Sequence, residues 1–148
     1  DYICSRFESR SMTITRSQAE KICMLVENYS SYVQQLSWNV MIEADKVVSD
    51  ADIDAGFEEL LHQTSSLFME QIVSLTSYQM NFLKAVVDGV HSGFTSSDVL
   101  ARYSLGAKSN VARIQKALIE RELVEKRGKL IFASDPVFST WFKREYSR

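Results

Sequence analysis

Residues 95–121 decide the fold of this chain, and they read TSSDVLARYSLGAKSNVARIQKALIER. The first four of these residues form a Ser/Thr-x-x-Asp capping box, which is typical of the start of a helix. The short apolar pattern that follows ends at the compact turn Ser104-Leu105-Gly106. From Ala107 to Arg121, apolar residues recur at three- and four-residue steps. The stretch therefore predicts a helix, a tight turn and a second helix, which is the helix-turn-helix arrangement.

The residues on the N-terminal side of this motif predict one more helix. Thr76-Ser77-Tyr78-Gln79 is a capping box, because the glutamine can return a hydrogen bond to the backbone of the cap residue. Apolar residues then follow at helical spacing, and Gly89 and Gly93 mark the exit of the helix. The residues expected to be buried are Phe82, Leu83, Val86, Val87 and Val90.

The residues on the C-terminal side predict a β-hairpin and a last helix. Residues 123–126 and 129–133 are strand candidates joined by a turn at Arg127-Gly128. Strand alternation predicts that Val124, Leu130 and Phe132 face the core. Asp135-Pro136 then predicts a helix start with Asp as the cap. Residues 76–148 are thus predicted to form a winged helix-turn-helix domain, with the hairpin as its wing.

Residues 1–75 predict a helical bundle, so that the whole chain is expected to be mainly α. Helical spacing indicates a first helix at the start, a second capped by Thr15 or Ser17, a third capped by Ser30 or Ser31, and a long fourth capped by Asp50. The residues expected inside the bundle include Ala19, Ile22, Cys23, Val26, Val33, Leu36, Val40, Met41, Ile53, Phe57, Leu60, Leu61, Leu67, Phe68 and Ile72.

Charge is distributed unevenly along the chain, although the net charge is only −2. Residues 1–101 hold 6 Lys/Arg against 14 Asp/Glu, which gives −8, whereas residues 102–134 hold 8 against 3, which gives +5. A polyanion would therefore meet the C-terminal third of the chain.

Polar and basic residues occupy the predicted outer face of the second helix and the tip of the wing. Such a mixture of phosphate-binding and base-reading side chains suits a DNA major groove, with the wing reaching a flanking phosphate. Duplex DNA is the expected partner. The predicted DNA-binding residues are Lys108, Ser109, Asn110, Arg113, Lys116, Lys126, Arg127 and Lys129.

Other classes of site and location are disfavoured. No apolar run approaches the roughly 20 residues needed to span a bilayer, and no signal peptide opens the chain, so a cytoplasmic protein is expected. Cys4, Cys23, His62 and His91 lack metal-ligand spacing, and no catalytic constellation is visible, so neither a metal site nor an enzyme is expected here. The acidic residues 50–54 suit a helix start, and their spacing does not fit a calcium loop.

Four phrases in a fixed order resemble the C-terminal region of a prokaryotic, archaeal-style AAA+ P-loop ATPase, over nearly the whole chain. They are NYSSYVQQLSW at 28–38, VSDADI at 48–53, LTSYQ at 75–79 and SDPVFSTWF at 134–142. The resemblance implies that 1–75 is the helical lid following a nucleotide-binding core and that 76–148 is a winged-helix domain similar to that of archaeal origin-recognition proteins. It also implies that the chain is a fragment.

The resemblance further implies that the parent protein is an ATPase that uses ATP and Mg²⁺. The chain has no GxxxxGK[ST] phosphate loop, and Gly106-Ala107-Lys108-Ser109 only mimics the end of one. The fragment is therefore expected not to hydrolyse ATP and to hold no cofactor. No lid arginine can be assigned to a nucleotide, since Arg6, Arg10 and Arg16 fit no motif. Relatives often carry a Gly-His-Pro-like turn where this chain has Ser30-Ser31.

An alternative function stays open at this point. The winged helix could serve as a regulatory module that docks on its own ATPase core or on a partner protein without binding DNA, because fold alone does not establish function. The acidic N-terminal part of the chain supports this hypothesis, since it could compete with DNA for the basic surface.

Overall fold

The structure, a computed structural model, describes residues 2–146 of the 148-residue chain. Within that range it contains eight α-helices, one 3₁₀ turn and one antiparallel hairpin, which confirms the prediction of a mainly α fold with a small wing. The elements in chain order are α1 Tyr2–Glu8, α2 Arg16–Leu25, α3 Ser30–Glu43, α4 Asp50–Ile72, α5 Ser77–Val87, α6 Ser97–Arg102, the 3₁₀ turn Lys108–Asn110, α7 Val111–Glu120, β1 Val124–Arg127, β2 Leu130–Ala133 and α8 Pro136–Tyr146.

The chain divides into two compact units, residues 1–65 and residues 66–148. The division lies inside α4, ten residues before the expected boundary between 75 and 76. The reason is visible in the packing of Phe68, which is 1% exposed. Its ring lies 5.3 Å from that of Phe138 and 5.5 Å from that of Trp141. The C-terminal part of α4 therefore belongs to the core of the second unit.

The first unit is helical, as predicted. Thr15 caps α2 in a complete capping box with Gln18. The expected caps of the next two helices, Ser30 or Ser31 and Asp50, are wrong by one or two residues. Tyr29 precedes α3 without any side-chain cap, and the start of α4 is capped by Ser49, whose Oγ accepts a hydrogen bond from the backbone of Asp52 at 3.1 Å.

The core of the first unit contains the expected aliphatic residues, with a few departures. Ala19, Ile22, Val26, Leu36 and Val40 are buried. Cys23 and Met41 are only half-buried, and Leu67, which was expected inside, is 55% exposed. Helical spacing predicts the buried face of a helix but not its edges, because the edge residues depend on the neighbouring element.

Helix α5 contributes further residues to the core of the second unit. The predicted capping box is confirmed, since Thr76 Oγ1 accepts from the backbone of Gln79 and the Gln79 side chain accepts from the backbone of Thr76. Phe82 and Leu83 are fully buried, and the ring of Phe82 stacks on that of Phe94 at 4.4 Å. The predicted Asp cap of α8 is also confirmed, because Asp135 accepts from two backbone amides. Val87 and Val90 are half-buried.

Two helix starts around the central turn differ from the prediction. The cap of α6 is Ser96, which accepts from the backbone of Val99, so the box expected from Thr95 is displaced by one residue. The predicted second helix, 107–121, opens with a 3₁₀ turn and becomes α-helical only at Val111. Ala107, the first residue of that predicted helix, is exposed.

The side chains of the wing strands point to different faces from those predicted by strand alternation. β1 pairs with β2 so that Val124 lies opposite Ala133 and Lys126 opposite Ile131. Ile131 is 2% exposed, whereas Leu130 is 41% exposed and Phe132 is half-buried, so Leu130 and Phe132 were assigned to the wrong face. A shift of one residue reverses every side chain of a strand, and the register follows from the two-residue turn at 128–129.

Candidate nucleic-acid interface

The turn between α6 and α7 is anchored on α5. Leu105, in the middle of the turn, is fully buried, and the side-chain amide of Asn81 donates to the Ser104 carbonyl at 3.1 Å. Gly106 has a φ of +79°, and its α-carbon lies against the ring of Tyr78. These contacts fix where α7 starts and which face it presents.

Helix α7, the second helix of the helix-turn-helix, has one buried face and one exposed face. Val111, Ile114 and Leu118 are buried at three- and four-residue steps. The predicted DNA-binding residues that are exposed are Arg113 and Lys116 on the other side of α7, and Lys108 and Ser109 in the 3₁₀ turn before it. Asn110 is half-buried, and its Oδ1 accepts a hydrogen bond from Nη2 of Arg113 at 3.1 Å. The arrangement joins an amide and a guanidinium at the first turn of the helix.

The three predicted basic residues of the wing are all exposed, but they face different ways. Arg127 forms an ion pair with Glu125 at 3.3 Å, and its guanidinium lies 4.5 Å from the centre of the Phe132 ring. Phe132 in turn stacks on His91 at 4.1 Å. The strand register puts Lys126 on the opposite face of the hairpin, next to Val124 and Ile131. Lys129 lies in the turn at the tip.

Helix α7 and the wing line a shared groove. Its apolar part comes from Val111, Ala112 and Ile119 of α7. Lys116 of α7 and Lys126 of β1 both line it. The remaining lining residues are Thr95, Gln115 and Glu120. The structure therefore brings together two of the predicted lysines that are ten residues apart in sequence.

Four lysines of the candidate surface carry unpaired ammonium groups. Within residues 66–146, no ion pair, hydrogen bond or aromatic ring engages the side chains of Lys108, Lys116, Lys126 or Lys129. Residues 66–148 hold 12 Lys/Arg against 8 Asp/Glu, a net charge of +4. The candidate surface is therefore cationic and open to solvent.

Two residues that shape this surface were not predicted from the sequence. Glu120 lies one helical turn after Lys116 and contributes a carboxylate to the groove. Arg121, counted in the basic segment, donates from Nη1 to Ser74 Oγ at 2.8 Å and so ties the end of α7 to the residues after α4. The position of Glu120 beside Lys116 could have been predicted from their helical spacing. The role of Arg121 could not, because it depends on a hydrogen bond to a residue 47 positions away in sequence.

A tyrosine hydrogen bond supports the short helix α6. The Tyr103 hydroxyl donates to Asp88 Oδ2 at 3.0 Å. Burial and this contact with the Asp88 carboxylate raise the pKa of Tyr103, and Arg102 opposes the rise. The neutral phenol thus ties the end of α6 to the end of α5.

The described residues 2–146 contain no group of three or more His, Cys, Asp or Glu side chains arranged to hold a metal ion. In the same range, every helix is too short or too polar to traverse a bilayer.

Three helices, a hairpin wing and a following helix define the second unit as a winged helix-turn-helix domain. The family described as "Probable winged helix domain" matches residues 66–144, which is more than half of the chain. The chain belongs to this family, and the match begins where the second unit begins.

One solved structure, a Walker-type ATPase of Pyrococcus abyssi, is similar to the chain with a TM-score of 0.77 at 13% sequence identity. The similarity covers 96% of this chain and 40% of the ATPase chain, so this chain spans less than half the length of that protein. It shows that both units share the fold of part of that ATPase. A search of curated proteins gave no match.

Proposed function

We propose that residues 66–148 bind duplex DNA through α7 and the wing. The observation that carries the proposal is the set of four lysines on the 3₁₀ turn, the exposed face of α7 and the hairpin, which have no partner among residues 2–146. Phosphate contacts supply most of the affinity of such proteins, and they need cations that can reach solvent-exposed phosphates.

The proposed contacts are divided between base edges and phosphates. An α-helix fits the major groove, where Arg can pair with guanine and Asn with adenine, so we assign Ser109, Asn110 and Arg113 to base edges. We assign the four lysines to phosphates. Arg127 already engages Glu125 and Phe132, and its proposed role is to hold the wing rather than to contact a phosphate.

Retardation of a 20-base-pair duplex of mixed sequence by the 148-residue chain tests the proposal. At low ionic strength we expect a retarded complex, which weakens about tenfold for Arg113→Ala and for Lys116→Ala, because each change removes a cation from the interface. Lys143→Ala is the matched control, since Lys143 is an exposed lysine of α8 outside the proposed surface.

Circular dichroism verifies that each variant is folded. A folded wild-type chain that retards no duplex at low ionic strength contradicts DNA binding and favours the alternative, in which the winged helix docks on a protein. Equal losses for Lys143→Ala and the two surface variants would contradict the assignment of the surface.

We further propose that the chain is the C-terminal part of an ATPase, with residues 1–65 as its helical lid. The fold of the Pyrococcus abyssi ATPase supports the proposal. Residues 106–109, which mimic the end of a phosphate loop, lie in the turn and the 3₁₀ turn before α7, with no strand ahead of them in residues 88–107. They do not fit a nucleotide phosphate site, so ATP and Mg²⁺ would be held by other parts of the parent protein.

A further inference from the structure

A shallow groove on the first unit runs between α1 and α3. Two adjoining depressions form it, and they share the side chain of Met41. On one side, Gln34, Trp38, Met41 and Asp45 follow one another at three- or four-residue steps along α3 and just past its end. They make a stripe about three helical turns long. The other side is formed by α1 and the residues after it, which contribute Tyr2, Arg6 and Arg10.

The α1–α3 groove exposes residue types that are enriched at protein–protein interfaces. Tyr2 is 56% exposed, Trp38 48% and Val47 68%. Two half-buried methionines, Met12 and Met41, add flexible apolar surface. Tyrosine, tryptophan, methionine and arginine are all over-represented in the cores of interfaces. The composition of the groove therefore favours a protein as its ligand.

The cations of the groove lack acidic partners, although the unit that carries them is acidic. Residues 1–65 hold 5 Lys/Arg against 11 Asp/Glu. The two cations of this unit outside the groove both form ion pairs, Arg16 with Glu20 and Lys21 with Asp54. The cations that form no ion pair within residues 2–146 are those that line the groove, Arg6, Arg10 and Lys46.

Aromatic rings hold the two arginines at the groove. The guanidinium of Arg6 lies 5.8 Å from the centre of the Tyr2 ring, and that of Arg10 lies 4.8 Å from the centre of the Trp38 ring. A guanidinium stacked on a ring keeps the N–H donors at its edge, where they can donate to both oxygens of a carboxylate. The groove thus joins apolar surface to cations that suit carboxylates.

We propose that the α1–α3 groove binds an acidic amphipathic helix of another protein. The apolar face of that helix packs on Trp38 and Met41, and its carboxylates accept hydrogen bonds from Arg6 and Arg10. A long polyanion such as DNA suits the groove less well, because it would also meet the many acids of the same unit. The inference concerns the first unit alone and does not rest on DNA binding by the second.

The test is calorimetric titration of the 148-residue chain with a synthetic amphipathic helix of about 14 residues, or about four turns. The peptide carries leucine at three- and four-residue steps and glutamate elsewhere. A control peptide has lysine in place of every glutamate. We expect the acidic peptide to bind at least about tenfold more tightly than the control, because only its charge is complementary to the groove.

Variants of the chain assign the binding to the groove. Arg6→Gln and Arg10→Gln should each weaken the acidic peptide about fivefold, because each removes a charged donor. Trp38→Ala should weaken it about tenfold or more, since exposed aromatic residues dominate such contacts. The matched controls are Arg16→Gln and Met24→Ala on α2, outside the groove, which should leave the affinity unchanged. Circular dichroism verifies that every variant is folded.

Three results would overturn the proposal. The first is the absence of binding by the acidic peptide at about 1 mM, or equal affinity for the two peptides. The second is an affinity for the acidic peptide that the three groove variants leave unchanged. The third is a loss of affinity for the 20-base-pair duplex, and not for the peptide, in Arg6→Gln and Arg10→Gln, which would assign the groove to a nucleic acid.

Discussion

Gly106 shows how one residue can position a whole helix. Its backbone has a φ of +79°, and a Cβ added there would lie 2.9 Å from Cε1 of Tyr78. Both the left-handed backbone and the close approach to a ring favour glycine. The position of α7 therefore depends on the absence of a side chain at this point.

Gly106→Ala should lower the free energy of unfolding by about 1–3 kcal/mol, because alanine is strained at positive φ and its methyl group would overlap the Tyr78 ring. The measurement is urea unfolding followed by circular dichroism. Gly93→Ala is the matched control, since Gly93 also has a positive φ of +69° but nothing lies within 4 Å of an added Cβ. Equal losses for the two variants would show that the Tyr78 contact contributes nothing.

Arg127 shows what residue type alone cannot reveal. Its charge and its place near the turn predicted a phosphate contact, and no sequence pattern indicated that Phe132 and Glu125 would engage it. The ring of Phe132 was expected in the core, so the sequence offered no exposed aromatic partner. A cation at a wing is predictable, but the direction in which it points depends on strand register.

The helix α4 contributes to the cores of both units along its length. Ile53 and Leu60 are buried in the first unit, and Phe68 in the second. The long apolar pattern predicted this helix correctly, but it carried no sign of where one core ends and the next begins. The expected boundary followed the capping box at Thr76, because a new helix start is visible in sequence and a change of packing partner is not.

Phe68→Ala should destabilise the second unit by about 3–5 kcal/mol, because it removes a buried ring and leaves a cavity against Phe138 and Trp141. Thermal unfolding by calorimetry measures the loss. The adjacent Leu67, 55% exposed, is the control, and Leu67→Ala should change stability by less than about 1 kcal/mol. A Phe68 variant as stable as the Leu67 variant would argue against the packing of α4 on α8.

Local chemistry predicted several elements closely, whereas long-range contacts did not follow from it. The capping box at 76–79 and the Asp135-Pro136 start were confirmed because each depends on residues only two or three apart. The predicted orientation of the Leu130 and Phe132 side chains was wrong. The orientation depends on the pairing of β2 with β1 and on the hydrogen bond that the Ile131 amide donates to the His91 carbonyl at 2.9 Å. The DNA-binding residues stay predictions, although α7 and the wing do bring Lys116 and Lys126 to one groove.

At the scale of the whole molecule, net charge misrepresents the surface that would meet DNA. The chain has a net charge of −2, yet residues 66–148 carry +4. Ionic strength should therefore control binding through the local cations and not through the overall charge.

If Lys108, Lys116, Lys126 and Lys129 each neutralise one phosphate, the logarithm of the association constant should fall with the logarithm of salt concentration at a slope of about −3.6. That slope corresponds to a loss of about 150-fold in affinity between 50 and 200 mM monovalent salt. Fluorescence anisotropy of a labelled duplex over this range measures it. A slope near zero would show that these side chains do not contact the phosphates, and Lys129→Ala should reduce the slope by about 1.

The chain contains two tryptophans, and the fold assigns one to each unit. Trp38 is 48% exposed and lies 4.8 Å from the Arg10 guanidinium, whereas Trp141 is 5% exposed among the rings of Phe68 and Phe138. Indole emission shifts to longer wavelength in water, so the two units carry separate natural spectroscopic reporters. An aqueous quencher such as iodide would reach the first indole and not the second, which lets the unfolding of the winged-helix unit be followed without any label.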